Sequence, residues 1–360
     1  MGNYSKPCRS VSHPESVPPW CELNDAAATL ALLSGESLLV VGAPGTGKND
    51  YVRKLVKTLR KKGKVVDIIA KTHVAVCNFG VGAQTADHFV RKHVRSGGGL
   101  KLDVLAVEEI TQIEVQIWAD ICKISQMAGV SYVLCGDFLQ FPAIAEHWAG
   151  STVCDGSLEH SDMVRELAGS NRLTLTQNHR SDQLLFDFYT NLASRPLVDV
   201  LAEARLLFPI TARQPDTTLV ISHARRRFLN MKRNLRDKPP DAVFLKAPMT
   251  GAIGSGPQSM WIWPGLRLVG AGGSVKKGVF ETIATVSPDG DVTLYNGVCL
   301  TAYQAIRSLR MSWAITYAGC QGLTLDGVVR LDCTASPHFI GKHLYVGSSR
   351  ATAHDLLEVT

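Results

Sequence analysis

The stretch Gly42-Ala43-Pro44-Gly45-Thr46-Gly47-Lys48-Asn49 constrains this chain more than any other. It stands between an apolar run, Ser37-Leu38-Leu39-Val40-Val41, and an amphipathic one that begins at Lys48. Glycines at such a junction let successive backbone N–H groups converge on one point at a helix N-terminus, where the helix dipole favours negative charge. A loop of that shape cradles phosphate, with Gly42, Pro44, Gly45, Thr46 and Gly47 forming the wall and Lys48 set against the outer phosphates of a nucleotide. The position after the lysine usually carries a hydroxyl that ligates Mg²⁺; here it is Asn49, whose amide oxygen is a workable but longer hard-cation ligand. Beyond it, Val52, Leu55, Val56 and Leu59 share one helical face, and Arg53, Lys54, Lys57, Arg60 and Lys61 turn outward.

From Ser37 onward, short β-branched runs (SLLVV, KVVDIIA, DVLAV, SYVLC, RLTLT, TTLVI, WAIT and VVRL) alternate with amphipathic stretches, the pattern of α/β domains built on parallel sheets. A length of 360 residues favours two domains. The expected layout is a flexible segment over 1–22, a first domain over 23–165 and a second over 166–360. Within the second, the strands WPGLRLV, GVFETIATV and VTLYNG and the turn SPDGD mark a β insertion over about 237–311.

With 45% hydrophobic and 19% charged residues, most of the chain is expected to fold. No apolar run approaches the roughly 18 to 20 residues that span a bilayer, so no membrane partner is expected and the protein should be soluble and intracellular. The nine cysteines are scattered without a CxxC pair, which argues against structural zinc and for a reducing compartment. A net charge of +6 suits a polyanion without proving one.

A second chemical motif lies in LDVLAVEEI, where a strand ends on Glu108 and Glu109. Carboxylates at the carboxyl end of a strand face the crevice of an open α/β sheet, where Glu108, with Asn49, can hold Mg²⁺ and Glu109 can polarise an attacking water.

Downstream, Gly136-Asp137-Phe138-Leu139-Gln140-Phe141-Pro142 resembles the GDFxQLPP segment of superfamily 1 helicases of the RecD/PIF type. Leu175-Thr176-Gln177-Asn178-His179-Arg180 looks like that family's arginine motif. Ala314 to Thr324 resembles its ATTxHKSQGLT run, and Tyr345 to Arg350 its YVALSR run. Six motifs in family order, from residue 42 to 352, carry the resemblance. It implies two RecA-like parallel-sheet domains with a small β-barrel-like insertion in the second, ATP and Mg²⁺ as cofactors, and a motor that moves on single-stranded or forked DNA, 5′-to-3′. Gln140 is then the γ-phosphate sensor, Gly322 a nucleotide contact, and Arg180 and Arg350 the arginine fingers supplied by the second domain.

The stretch AKTHVA at 70–75 resembles the family's APTGKAA loop, which makes Lys71, Thr72 and His73 candidates for nucleic-acid phosphate, with Thr316 a further contact. Phe89 and Trp148 are candidates for stacking on bases, with core packing the alternative. The run Arg225, Arg226, Arg227, Lys232, Arg233 and Arg236 either tracks a backbone or is a solvated face. Asn49 and Glu108 stand where the family has a hydroxyl residue and Asp, and three further features depart from it. Its adenine-reading Gln is absent after Leu23-Asn24, Asp87 stands where His is usual in TxHSF, and the stretch between Phe89 and Leu105 has no room for an elaborate strand-splitting wedge. A viral-type superfamily 1 RNA helicase and a nucleotide- and nucleic-acid-binding module without turnover are the competing readings; oligomeric state is not legible.

Overall fold

The computed structural model describes residues 19–80, 82–143, 147–148, 151–152, 158–248 and 256–360. Its first layer is a seven-stranded sheet in the order Cys21–Glu22, Asn171–Leu175, Leu38–Gly42, Ser131–Gly136, Val104–Glu108, Val66–Ala70, Ala83–Thr85, parallel throughout. The central strands are buried on both faces, which explains why they read as unbroken apolar runs and not as alternating ones. On one face, Ala28 and Leu32 of helix Asp25–Leu33 pack with Val52, Leu55, Val56 and Leu59 of helix Lys48–Lys61; on the other, helix Val115–Ala128 contributes Ile117, Trp118, Ile121 and Ile124. The sequence period had placed the same four residues of the basic helix inward. All candidate nucleotide motifs of this half leave the sheet at its carboxyl edge, which is where the chain order reverses and a crevice opens.

The second sheet runs Ala314–Thr316, Thr217–Val220, Val329–Leu331, Leu357–Val359, again all parallel. Helices Gln183–Thr190, Leu197–Leu207 and Gly341–Ser348 share its core through Tyr189, Ala204, Leu344 and Tyr345. The β insertion has a separate apolar core, Met260, Ile262, Leu268, Ile283, Leu294, Leu309 and Met311 among its members. Its strands form a hairpin, Val243–Leu245 with Met260–Ile262, and a five-stranded antiparallel sheet in the order Cys299–Leu300, Val292–Leu294, Phe280–Val286, Arg267–Gly270, Leu309–Met311. Among the described residues no helix is long and apolar enough to cross a membrane.

Three expectations are corrected. Of the segment expected to be flexible over 1–22, residues 1–18 lie outside the described residues, while its end joins the sheet at Cys21–Glu22, where Cys21 N donates to Ser170 O (2.9 Å) and the Trp20 ring lies 5.6 and 5.7 Å from the Arg165 and Arg172 guanidiniums. The first sheet continues past 165 to the strand at 171–175, whose neighbour is the strand leading into the phosphate loop. Phe89, a candidate for base stacking, is fully buried in the core under helix Ala86–Val90. Phe89→Ala should therefore cost about 3–5 kcal/mol of stability, read as a lower urea midpoint with unchanged slope; a variant as stable as the wild type would place the ring outside the core.

Candidate nucleotide site

The phosphate loop is shaped by what its backbone must avoid. A side chain at Gly42 would meet the Leu175 carbonyl oxygen at 2.5 Å and Thr46 Oγ1 at 2.6 Å, so only glycine lets the strand at 171–175 lie against it. Gly47 precedes the helix at φ 79°, a left-handed turn that bends the loop into helix Lys48–Lys61. Thr46 is buried and donates to Ala43 O (2.8 Å), holding the loop closed on itself. Lys48 Nζ donates to Gly42 O (2.7 Å) and Ala43 O (3.0 Å), so its charge is held over the loop by carbonyls and by no carboxylate.

This loop floors a cleft of about 420 Å³ whose walls include Lys48, Asn49, Arg53, Glu108, Glu109, Gln140, Arg180, Gly322 and Arg350. The two acids differ sharply. Glu108 ends its strand 2% exposed, and its Oε1 has no hydrogen-bond partner. Burial, reinforced by Glu109, pushes its carboxyl up to about 8, against the lowering effects of Cys135 and Lys48. Glu109 is partly exposed and sits at φ 54°, a left-handed conformation uncommon outside glycine, with Oε2 accepting from Gln112 Nε2 (2.8 Å). Asn49 lines the same cleft as the partnerless Glu108 oxygen, and the pair of oxygen donors suits a hard cation.

The opposite wall is cationic. Arg180 follows a strand of the first sheet, contrary to its expected origin in the second domain, yet its guanidinium donates to Ser349 O (2.7 Å) and reaches Thr324 Oγ1 (3.5 Å) in the second. Burial and then Arg350 lower its pKa to about 10. Arg350, 2% exposed, donates to Leu323 O (2.9 Å), Val346 O (3.0 Å) and Ser349 Oγ (2.8 Å). The two halves also meet where Tyr189 Oη donates to Pro44 O (2.8 Å), the His179 N–H to Gly45 O (2.9 Å) and Gln321 Nε2 to Phe141 O (3.3 Å). Sequence reasoning missed Tyr189 and Arg53; neither belongs to a quoted motif, and no local pattern sets them apart.

The candidate nucleic-acid residues fare unevenly. Lys71 is held by Glu114 (2.7 Å) and Asp87 (3.1 Å), which offset its charge. Thr72 caps helix His73–Phe79 by accepting from Ala75 N, and Thr316 Oγ1 accepts from Gly319 N (3.1 Å). His73 is exposed. Trp148 lies on a two-residue strand, His147–Trp148, and its side chain falls outside the described residues. In the arginine run, Arg225 pairs with Asp332, and Arg233 and Arg236 with Asp237, which favours the solvated face.

A family profile described as an AAA domain matches residues 24–185. The sequence is similar to the ATP-dependent DNA helicase PIF1 of Candida albicans, 29% identical over 33% of this chain and 16% of that protein. It is also similar to PIF1 of Homo sapiens, 28% identical over 39% of this chain and 25% of that protein. The chain thus matches a quarter or less of the length of these relatives. The fold is similar to that of the Pif1 helicase from Candida albicans, with a TM-score of 0.68 at 21% identity over 93% of both chains. It also resembles a Bacteroides Pif1 in complex with ADP-AlF3 and ssDNA, with a TM-score of 0.63 at 16% identity over 92% of this chain and 91% of that one.

The state of Glu108 has a consequence for stability in the metal-free, nucleotide-free protein. Its folded value, about 8, lies above the ordinary 4.5, so the folded state holds the proton more tightly. That contribution is complete below the unfolded value and is lost as pH rises through about 8. In a chelator, Glu108→Gln and wild type should have similar denaturation midpoints near or below about pH 4, with the variant increasingly the more stable as pH rises through 6 to 9. A difference that stays constant across that range would exclude a buried, raised carboxyl.

Proposed function

We propose that this chain, whose motifs and fold are those of superfamily 1 helicases of the RecD/PIF type, is an ATP-dependent DNA helicase or translocase acting on single-stranded or forked DNA, with 5′-to-3′ polarity implied by the resemblance. The observation that carries the reading is the single cleft in which Lys48, Glu108, Glu109 and Gln140 from the edge of one parallel sheet face Arg180 and Arg350 anchored to the other.

Phosphoryl transfer needs little covalent chemistry from a protein and much placed charge. Lys48, held only by the carbonyls of Gly42 and Ala43, is free to turn its ammonium to the β and γ phosphates of ATP. Asn49 and Glu108 would hold Mg²⁺, which when bound would offset the charge of the phosphates. Glu109, oriented by Gln112 and facing Gly322 across the cleft, is placed to take the proton of the attacking water. Arg180 and Arg350 stabilise charge that develops on the transferred group. Their anchors are Ser349 O and Leu323 O, so charge gained or lost in the cleft pulls on the second domain. A strand lying across both domains would be stepped by that cycle. The relatives matched are named as DNA helicases, which favours DNA over the RNA alternative. The short segment of 91–103, one π-helical turn and a loop, favours translocation over strand splitting.

The test is ATP hydrolysis with and without single-stranded DNA. Turnover should rise with DNA and vanish in a folded Lys48→Ala variant, while Arg180→Ala should cost roughly 10³-fold in kcat with much of the nucleotide affinity retained. Undetectable wild-type hydrolysis over Mg²⁺ and Mn²⁺ titrations would favour the binding module. Affinity for single-stranded DNA should also fall steeply with salt as counterions are released; a flat plot of log affinity against log salt would remove the phosphate-tracking groove.

A further inference from the structure

Asp137 lies just beyond the strand Ser131–Gly136 and is 6% exposed. Its Oδ1 accepts from Leu139 N (3.1 Å), and its Oδ2 accepts from both Gln140 Nε2 (3.0 Å) and Tyr345 Oη (2.8 Å). Every partner is a donor, as an ionised carboxylate requires. That fixes the Gln140 amide, because a group that only accepts must be met by the amide nitrogen. The amide oxygen is therefore turned away from Asp137. Gln140 Oε1 is buried with no partner in a side chain that lines the cleft beside Lys48, Glu109 and Arg180. Phosphate oxygens are themselves acceptors, so this oxygen is suited to receive a hydrogen bond from a water and not to grip the γ-phosphate, the role the resemblance implies for Gln140.

Tyr345 belongs to the other half of the molecule. It stands on helix Gly341–Ser348 within the core of the second sheet, 3% exposed, with its ring edge-on to Tyr189 at 6.0 Å, while Tyr189 Oη is bonded to Pro44 O in the phosphate loop. The chain of contacts thus crosses from the second domain to Gln140, a cleft-lining side chain whose buried amide oxygen has no partner. We propose that Tyr345 is a positioning residue for hydrolysis: across the domain interface it holds Asp137, and through it sets Gln140 to present its oxygen to the attacking water, so that the water is oriented only when the two domains are closed. This rests on the ATPase reading above and adds to it how closure reaches the chemistry.

Tyr345→Phe removes one hydroxyl and leaves the ring in the core. The variant should lose roughly 10- to 100-fold in kcat, as a misplaced reacting group does, with KM little changed. Gln140→Ala should lose a similar amount, and the double variant no more than the worse single one. Binding of fluorescent ADP gives a readout apart from turnover. Wild type and Tyr345→Phe should bind ADP alone equally, and the additional affinity gained with aluminium fluoride, which mimics the transferred group, should shrink about tenfold in the variant. Losses that multiply in the double variant, or equal falls in ADP affinity with and without fluoride, would overturn the proposal. Should Tyr345→Phe fail to fold, Asp137→Asn serves in its place, since its own amide can turn a donor toward Gln140; unaltered turnover there would equally overturn the proposal. A wild type that hydrolyses ATP but shows none of these couplings fails this inference alone, whereas one that binds no ADP fails the nucleotide site itself and this inference with it.

Discussion

Like groups are held together on both walls of the cleft, two acids on one and two arginines on the other, and the rest of the site follows from that constraint. Arg180, lowered first by burial and then by Arg350, faces a wall on which Glu108 is raised first by burial and then by Glu109. Neither pair is relieved by a neighbour of opposite sign at hydrogen-bond distance: the arginines donate to carbonyls and hydroxyls, and one Glu108 oxygen has nothing at all. Such an arrangement is stable only because the fold elsewhere determines it, and it is resolved by a ligand carrying negative charge toward the arginines and a cation toward the acids. A nucleotide with its metal has that polarity.

The same constraint explains why the site is divided between sheets. A fully assembled set of unmatched charges on one rigid layer would be costly whenever the cleft stood empty. On the proposed reading, two layers joined by hydrogen bonds that include Tyr189 to Pro44 and Gln321 to Phe141 let these groups part between turnovers. The insertion, with its own apolar core, adds a surface without adding to the cleft.

Much of this was legible in the sequence, for physical reasons. Parallel strands buried on both faces leave continuous apolar runs, and the buried face of the helix after the phosphate loop follows from its period. What escaped was short or distant. The edge strands Cys21–Glu22, Ala83–Thr85 and Leu357–Val359 are too brief to carry a pattern, and their place is set by the neighbour they pair with. Phe89 looked the same to sequence reasoning whether it packed or stacked. The Tyr345–Asp137 bond joins residues 208 apart, and no local signal reports it. Lys71 stands where the family's APTGKAA loop has proline, and Asp87 where its TxHSF segment has histidine; each looks like a separate loss, yet the two side chains meet at 3.1 Å.

Glu109 shows where selection for a durable fold and selection for a working one part company. A side chain held at φ 54° costs on the order of 1 kcal/mol that glycine would not incur. Glycine at this position would therefore relieve the backbone while removing the carboxylate. The chain keeps a locally unfavourable residue where a more comfortable one is a single substitution away, so a search for heat-resistant variants, run without an activity screen, would be drawn to this position and, on the proposed role of Glu109, would return folded but inert molecules.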